Sequence, residues 1–414
     1  GSGKTKAAMY AISQIDTWKL LLICVPSLEL VEQWEADVRL FYPDVSIIKC
    51  GSPYRGHKEL LKSLTQARFP EQVVVISTYD SAQGDYYMSK WRLAKSEQFA
   101  MICDEVHNMG APKSQCLMEL NPAYRIGLSA TPRRNFDEIG SEKILDFYHQ
   151  NTFEFSIKDA QREHYLVEYQ YRILPCAMPE DDWELYKTFS REILQLQHTL
   201  EQEGNEKAQL RLRQRIEGRY RDRAKLLKKN DQKAQTLQTI FDEIPPTARV
   251  LIYGDDLHHL AEIGQALDHM GKYYFKYTGE LDAQKERPTI LKEFRQGIRK
   301  TLLAVGCLDE GIDIPACDVA VFISSSTSER QFIQRRGRVL RVAPGKTSAW
   351  IYDYLVYPIL SARTNDDERR LALSMIDAQY RRINLMVEDA INGIQERQKL
   401  DQFLSQRRLN PYDF

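Results

Sequence analysis

Met101-Ile102-Cys103-Asp104-Glu105-Val106-His107 is the stretch that decides how this chain folds. Residues 100–103 form a short apolar run that ends abruptly in two acids, the pattern of a buried parallel strand read to its carboxyl end. Ligands of open α/β sheets bind just beyond such ends. There Asp104 can hold Mg2+, directly or through water, and Glu105 can orient and deprotonate an attacking water. His107 reads either as a satisfied structural histidine or as a group coupling a nucleotide to a second lobe.

The same pattern recurs on both sides. Apolar runs at residues 20–25, 73–77 and 124–128 alternate with amphipathic stretches. It stops near Pro175 and resumes at residues 250–253, 301–305, 319–323 and 350–354. This predicts an α/β protein with two parallel-sheet lobes around a different middle. The first lobe is expected over 1–150 and the second over 151–356, interrupted by a helical insertion at 180–245. A helical segment follows over 357–414, whose apolar stripe Leu371, Met375, Ile383 and Met386 packs against a lobe or a partner.

The insertion holds strong helix formers and breaks near Gly204-Asn205, which predicts two long helices. From Lys207 to Lys233 it carries eleven basic and three acidic residues. Either this is the solvated face of a charged helical pair, or Arg211, Arg213, Arg215 and Arg219 line an arm lying along a phosphate backbone.

Composition narrows the classes. With 414 residues, 43% hydrophobic and 28% charged, the chain has the make-up of a globular protein, and no apolar run is long enough to span a bilayer. Seven scattered cysteines without a closely spaced pair exclude a disulfide framework and a zinc site, and fit a reducing compartment. Net charge of −1 confines any polyanion-binding surface to a local patch.

At the other end of the first lobe, Gly1-Ser2-Gly3-Lys4-Thr5 precedes a helix-like stretch at residues 6–15. Glycines let backbone N–H groups close on phosphate oxygens, Lys4 can neutralise β/γ-phosphate charge, and the Thr5 hydroxyl can ligate Mg2+. The first glycine of a full phosphate loop would lie before Gly1, so the chain reads as a truncated piece, without a readable targeting segment. Far downstream, Gln334-Arg335-Arg336-Gly337-Arg338-Val339-Leu340-Arg341 places Arg338 and Arg341 three apart on one helical face. They either form surface ion pairs or act as arginine fingers on a γ-phosphate.

Taken together these segments resemble the superfamily 2 helicases and translocases, most closely the DExH branch of XPB-type proteins and restriction-enzyme motor subunits. Gly3-Lys4-Thr5 is similar to motif I, Val25-Pro26-Ser27-Leu28-Glu29-Leu30 with Gln33-Trp34 to motif Ia, and Ser77-Thr78-Tyr79 to motif Ib. Asp104 to His107 resembles motif II and Ser129-Ala130-Thr131 motif III. Tyr277-Thr278-Gly279 lies in the motif IV region, Asp309 to Pro315 in motif V, and Gln334 to Arg341 in motif VI. The resemblance implies two RecA-like lobes, with ATP and Mg2+ between them and nucleic acid, DNA rather than RNA, across both. It implies nucleotide contacts at Gly311, Asp313 and Gln334. Backbone contacts are implied at Pro26, Ser27, Thr78, Tyr79, Thr278 and Gly279. The implied activity is strand movement driven by ATP hydrolysis, with an ATP-gated sensor or scaffold of a larger repair, restriction or phage-defence complex as the alternative. A protein partner at the N-terminal side or on the C-terminal helix, a cytoplasmic or nucleoid location and no membrane complete the expectation.

Overall fold

Eleven strands form two separate parallel sheets in the computed structural model, which describes residues 3–51, 54, 72–131, 137–230, 232–278, 281, 286–305, 317–324, 329–361 and 363–410. The chain divides into two units, one containing residues up to 156 and the other nearly all that follow. Among the described residues no helix is long and apolar enough to cross a membrane.

The first unit contains β1 (Leu20–Val25), β2 (Ser46–Cys50), β3 (Val73–Thr78), β4 (Phe99–Asp104) and β5 (Tyr124–Leu128), in the order β2-β3-β1-β4-β5. Every pairing is parallel. β1 is entirely buried because it is central and covered on both faces, and its six residues are accordingly all apolar. Alternation along the strands sends Leu21, Ile23, Ala100 and Ile102 to one face, where the helix Leu28–Phe41 lays Val31, Trp34 and Val38. Leu20, Leu22, Cys24, Met101 and Cys103 go to the other, where Tyr79, Trp91 and Phe147 pack. The register Val25↔Thr78, Cys24↔Cys103 and Asp104↔Leu128 brings the carboxyl ends of four strands to one edge.

The second unit has β6 (Glu168–Met178), β7 (Val250–Tyr253), β8 (Phe275–Tyr277), β9 (Thr301–Ala304), β10 (Val319–Phe322) and β11 (Ser348–Pro358), in the order β6-β11-β10-β7-β9-β8. β6 runs straight through Pro175, where the apolar pattern was expected to stop. Pro175 is tolerated because β6 is an edge strand, paired only with β11. The C-terminal helices Asp366–Val387 and Gly393–Gln406 belong to this unit. Gln379 exchanges hydrogen bonds with the backbone of Val356, and Asn392 does the same with Tyr171.

The insertion folds as two 23-residue helices, Glu180–Gln202 and Glu206–Lys228. Asn205 caps the second, accepting from the backbone N–H groups of Lys207 and Ala208. Arg219 is engaged inside the hairpin, 2.6 Å from Glu192 and 3.0 Å from Asp222, so it leaves the set expected to lie along a phosphate backbone. Arg223 donates to Ser190 and lies over the rings of Tyr186 and Tyr220. Arg211, Arg213 and Arg215 are exposed and form no ion pair among the described residues.

Lys233 fixes the hairpin to the sheet. Its side chain is buried, and its amino group donates to the carbonyls of Leu227 (2.6 Å) and Lys228 (3.4 Å) and to Ile323 (2.9 Å) just past β10. Burial pushes its pKa down from 10.5 to about 7. Between those values the unfolded chain holds a proton that the native chain lacks, so this group makes stability rise with pH across that window. Lys233→Met is expected to flatten the rise, read as unfolding midpoints of the two proteins from neutral to alkaline pH. Parallel curves would mean that the buried amine keeps its proton.

Candidate functional site

The carboxyl edge of the first sheet collects Pro26, Ser27, Thr78, Tyr79, Asp104 and Glu105 from the residues singled out in the sequence. Gly3 sits at the N-cap of the helix Lys4–Ser13 in a left-handed conformation (φ 75°, ψ 15°), and a Cβ there would meet nothing within 4 Å. Glycine is needed for that backbone rather than for space. Lys4 and Thr5 follow in the first turn, both half-buried. Lys4 is near enough to Asp104 for its charge to act on the carboxylate.

Asp104 ends β4, and both of its carboxylate oxygens are engaged. Oδ2 accepts from the Trp34 indole N–H at 2.9 Å, and Oδ1 accepts from the backbone N–H of Glu105 at 3.0 Å. Its backbone carbonyl accepts from the Tyr79 hydroxyl at 2.8 Å. Burial pushes the carboxyl above its ordinary range, while the two hydrogen bonds and Lys4 pull it back.

Glu105 leaves the strand with φ 47° and ψ 55°, the left-handed region that costs a non-glycine residue about 1–3 kcal/mol. Asn108 holds the turn, donating both its backbone N–H (2.9 Å) and its side-chain amide (3.0 Å) to the Glu105 carbonyl. The turn takes the second acid out of the strict alternation of β4, and the Glu105 side chain is 18% exposed. His107 is buried with Nδ1 3.4 Å from the Glu105 carboxylate and 3.5 Å from Ser129 Oγ. Ser129 donates to the Thr131 carbonyl at 2.6 Å and accepts from the Thr131 N–H at 3.2 Å. The acid pair is thus joined to the Ser-Ala-Thr segment after β5 through His107, within one unit.

The donor set, Thr5 hydroxyl and Asp104 carboxylate, consists of hard oxygens of the kind Mg2+ takes. Among the described residues no three His, Cys, Asp or Glu side chains converge on one point. The residues present therefore suit a cation shared with phosphate oxygens, not one held in an all-protein cage.

Other expected contacts are placed differently. Thr78 is buried and caps the short helix Tyr79–Ala82, accepting from the Ser81 N–H and donating to the Ser81 hydroxyl. Tyr79 is 5% exposed with its hydroxyl turned to Asp104, so in this conformation it braces β4 and presents no open face to a ligand. Pro26 is half-buried, and the Ser27 hydroxyl is buried without a hydrogen bond among the described residues. Thr278 follows β8 and is buried. Gly1, Ser2, Gly279, Gly311 and Asp313 lie outside the described residues.

In the second unit, Gln334 and Arg338 are half-buried on the helix Glu329–Val339. That helix ends before Arg341, which corrects the expectation of one helical face. The Leu340 carbonyl accepts from Val167 N–H, and Arg341 forms an antiparallel bridge with Leu166. Residues 166–167 thus take over the backbone just past the helix, and Pro344-Gly345 turns it away. Burial and the charge of Arg295 lower the Arg341 pKa. Arg335 stacks over Tyr253 and donates to the Ser324 carbonyl. Arg336 pairs with Asp389 at 3.2 Å and donates to Leu385 and Tyr169.

Comparison with known proteins gives the same two halves. The family model "Type III restriction enzyme, res subunit" matches residues 1–134, and "Helicase conserved C-terminal domain" matches residues 232–343. The chain is 24% identical over 358 residues to the DNA 3'-5' translocase XPB2 of Sulfurisphaera tokodaii, covering 82% of this chain and 73% of that protein. It is 27% identical over 353 residues to the putative DNA 3'-5' helicase Rad25 of Haloarcula marismortui, covering 83% and 47%. The chain therefore spans about half of the Rad25 relative's length. Among solved structures, the Pyrococcus furiosus Hef helicase domain superposes with a TM-score of 0.51 at 17% identity, covering 86% of this chain and 90% of that one. The ATP-dependent type ISP restriction-modification enzyme LlaBIII bound to DNA superposes with a TM-score of 0.58 at 17% identity, covering 94% and 28%. At that identity the two structures speak for the fold alone.

Proposed function

We propose that this chain, which belongs to the superfamily 2 helicases of the XPB and restriction-subunit type, couples ATP hydrolysis to movement along DNA. The observation that carries the proposal is the acid pair Asp104-Glu105 at the carboxyl end of β4. Lys4 acts on the first acid, and the second is turned out of the strand by a strained, doubly hydrogen-bonded backbone. Gly3, Lys4 and Thr5 would receive the β- and γ-phosphates at the N-terminus of their helix. Thr5 and Asp104 would hold Mg2+, which supplies charge neutralisation on the phosphates when bound. Glu105 would orient the attacking water and accept its proton, while Arg338 and Arg341 would stabilise charge on the transferred phosphoryl group.

DNA is the polymer proposed, gripped by its backbone. Lys207, Arg211, Arg215, Arg221 and Lys225 fall on one side of a helix about 35 Å long. Arg211 and Arg215 within that stripe, and Arg213 outside it, are free of ion pairs among the described residues. These features favour the phosphate-backbone reading over a solvated face.

Triplex displacement by the full-length protein, driven by hydrolysable ATP, tests the proposal, with forked-duplex unwinding run beside it. Displacement without unwinding marks a translocase, and both together mark a helicase. DNA-stimulated hydrolysis with neither would leave the sensor or scaffold reading. In equilibrium binding to duplex DNA over a range of salt concentrations, Arg211→Ala, Arg213→Ala and Arg215→Ala combined are expected to weaken binding about tenfold or more. The slope of log affinity against log salt should become shallower by about 2 to 3. An unchanged slope would return the hairpin to a solvated face.

A further inference from the structure

Asp104 is held from both faces of its sheet by side chains of the two segments that begin where β1 and β3 end. β4 alternation puts Asp104 on the face of Ala100 and Ile102. There Trp34, on the buried stripe of the helix Leu28–Phe41 and 1% exposed, donates its indole N–H to Oδ2 at 2.9 Å. On the opposite face, Tyr79 packs among Cys24, Met101 and Cys103 and donates its hydroxyl to the Asp104 carbonyl at 2.8 Å. One bond fixes the plane of the carboxylate, and the other fixes the peptide from which it springs. Trp34 lies about two turns into the helix Leu28–Phe41, whose N-cap is Ser27 just after Pro26, and Tyr79 directly follows Thr78. The indole N–H and the phenol O–H are buried donors, so losing either acceptor would leave an unsatisfied polar group.

We infer that Trp34 and Tyr79 are positioning residues that set the Asp104 carboxylate for Mg2+ and tie its placement to the two strand-end segments expected to touch nucleic acid. The inference rests on the reading of Asp104 given under Proposed function. Both segments are joined to Asp104 by short, buried, directional bonds within one unit. A shift of either strand end must therefore move the carboxylate or break a bond. By reciprocity, nucleic acid that prefers one arrangement of these ends changes Mg2+ affinity, and Mg2+ changes nucleic-acid affinity by the same factor.

Trp34→Phe and Tyr79→Phe each remove one donor and keep a ring in place. The readout is binding of a fluorescent, non-hydrolysable ATP analogue, titrated with Mg2+ in the presence and absence of duplex DNA. Unfolding temperature is recorded for each protein. Trp34→Phe is expected to raise the half-saturating Mg2+ concentration about tenfold, as loss of a bond to a ligating carboxylate commonly does. Tyr79→Phe, which differs by a single oxygen, is expected to shrink the DNA-induced shift in that concentration. The double variant should do less than the product of the two, because both act through Asp104. Parent-like Mg2+ titrations for both variants, with and without DNA, would overturn the inference, as would lowered unfolding temperatures with no change in Mg2+ dependence. Asp104→Asn separates the two levels. If it leaves Mg2+-dependent binding intact, the reading of the site itself is wrong. If it abolishes that binding while Trp34→Phe and Tyr79→Phe do not alter it, only the positioning role falls.

Discussion

Glu105→Gln is expected to lower ATP turnover about a thousandfold while nucleotide affinity stays within a few-fold. The amide matches the carboxylate in size but cannot take a proton from water at neutral pH. The backbone that carries it is held independently of that side chain. Asn108 makes both of its bonds to the Glu105 carbonyl, so the left-handed turn survives the substitution. Lys4, Thr5 and Asp104 are untouched, so the phosphate and Mg2+ contacts proposed for them are expected to persist. One further consequence follows from His107, whose Nδ1 is 3.4 Å from the carboxylate and 3.5 Å from Ser129. A neutral amide removes the carboxylate charge from that contact, and the link through His107 to the segment after β5 weakens with it. Steady-state hydrolysis with and without DNA, beside equilibrium binding of an ATP analogue, decides the matter. Turnover within tenfold of the parent would strip Glu105 of its role as base.

The acid pair was legible because its signal is local. An apolar run followed by two acids can be read without knowing what lies beside it, and β1, β4, β5 and β7 fall where their runs do. β2, β6 and β8 were missed for three separate physical reasons. β2, Ser46–Cys50, has only two consecutive aliphatic residues before Lys49, whose ammonium reaches Glu32 and Glu35 on the neighbouring helix. β8 is three residues long and on an edge. β6 holds a proline that only an edge position excuses, and its alternating burial is that of a half-covered strand. Trp34 and Tyr79 were legible as parts of motif-like segments but not as partners of Asp104. Their bonds span 70 and 25 residues and depend on which sheet face each segment covers. For the same reason sequence spacing could not separate Arg219, which is spent on Glu192 and Asp222, from its exposed neighbours.

Arg336→Ala and Arg338→Ala should fail in different ways, although the two residues lie two apart on one helix. Arg336 is 5% exposed. It pairs with Asp389 at 3.2 Å and donates to the Leu385 carbonyl at 2.7 Å and to the Tyr169 hydroxyl at 3.2 Å. These bonds fasten the Glu329–Val339 helix to the helix Asp366–Val387, to the turn that follows it and to β6. Truncation strands Asp389, which is 20% exposed at its side chain, and removes a buried cation from its acceptors; a loss of stability of about 3 kcal/mol is expected. Arg338 is less buried and sits in the last turn, one residue before the helix ends. If it stabilises charge on the transferred phosphoryl group, Arg338→Ala should cost about a thousandfold in turnover. Any loss of stability should be smaller than in Arg336→Ala, and nucleotide binding should be only modestly weakened. Arg338→Lys is the sharper form of the test. Lysine keeps the charge but loses the planar fork that grips two phosphate oxygens, so it should recover little of the lost rate. Turnover restored to near the parent value by lysine would reduce Arg338 to a point charge. Loss of stability in Arg338→Ala equal to that in Arg336→Ala would make both arginines parts of the same internal brace.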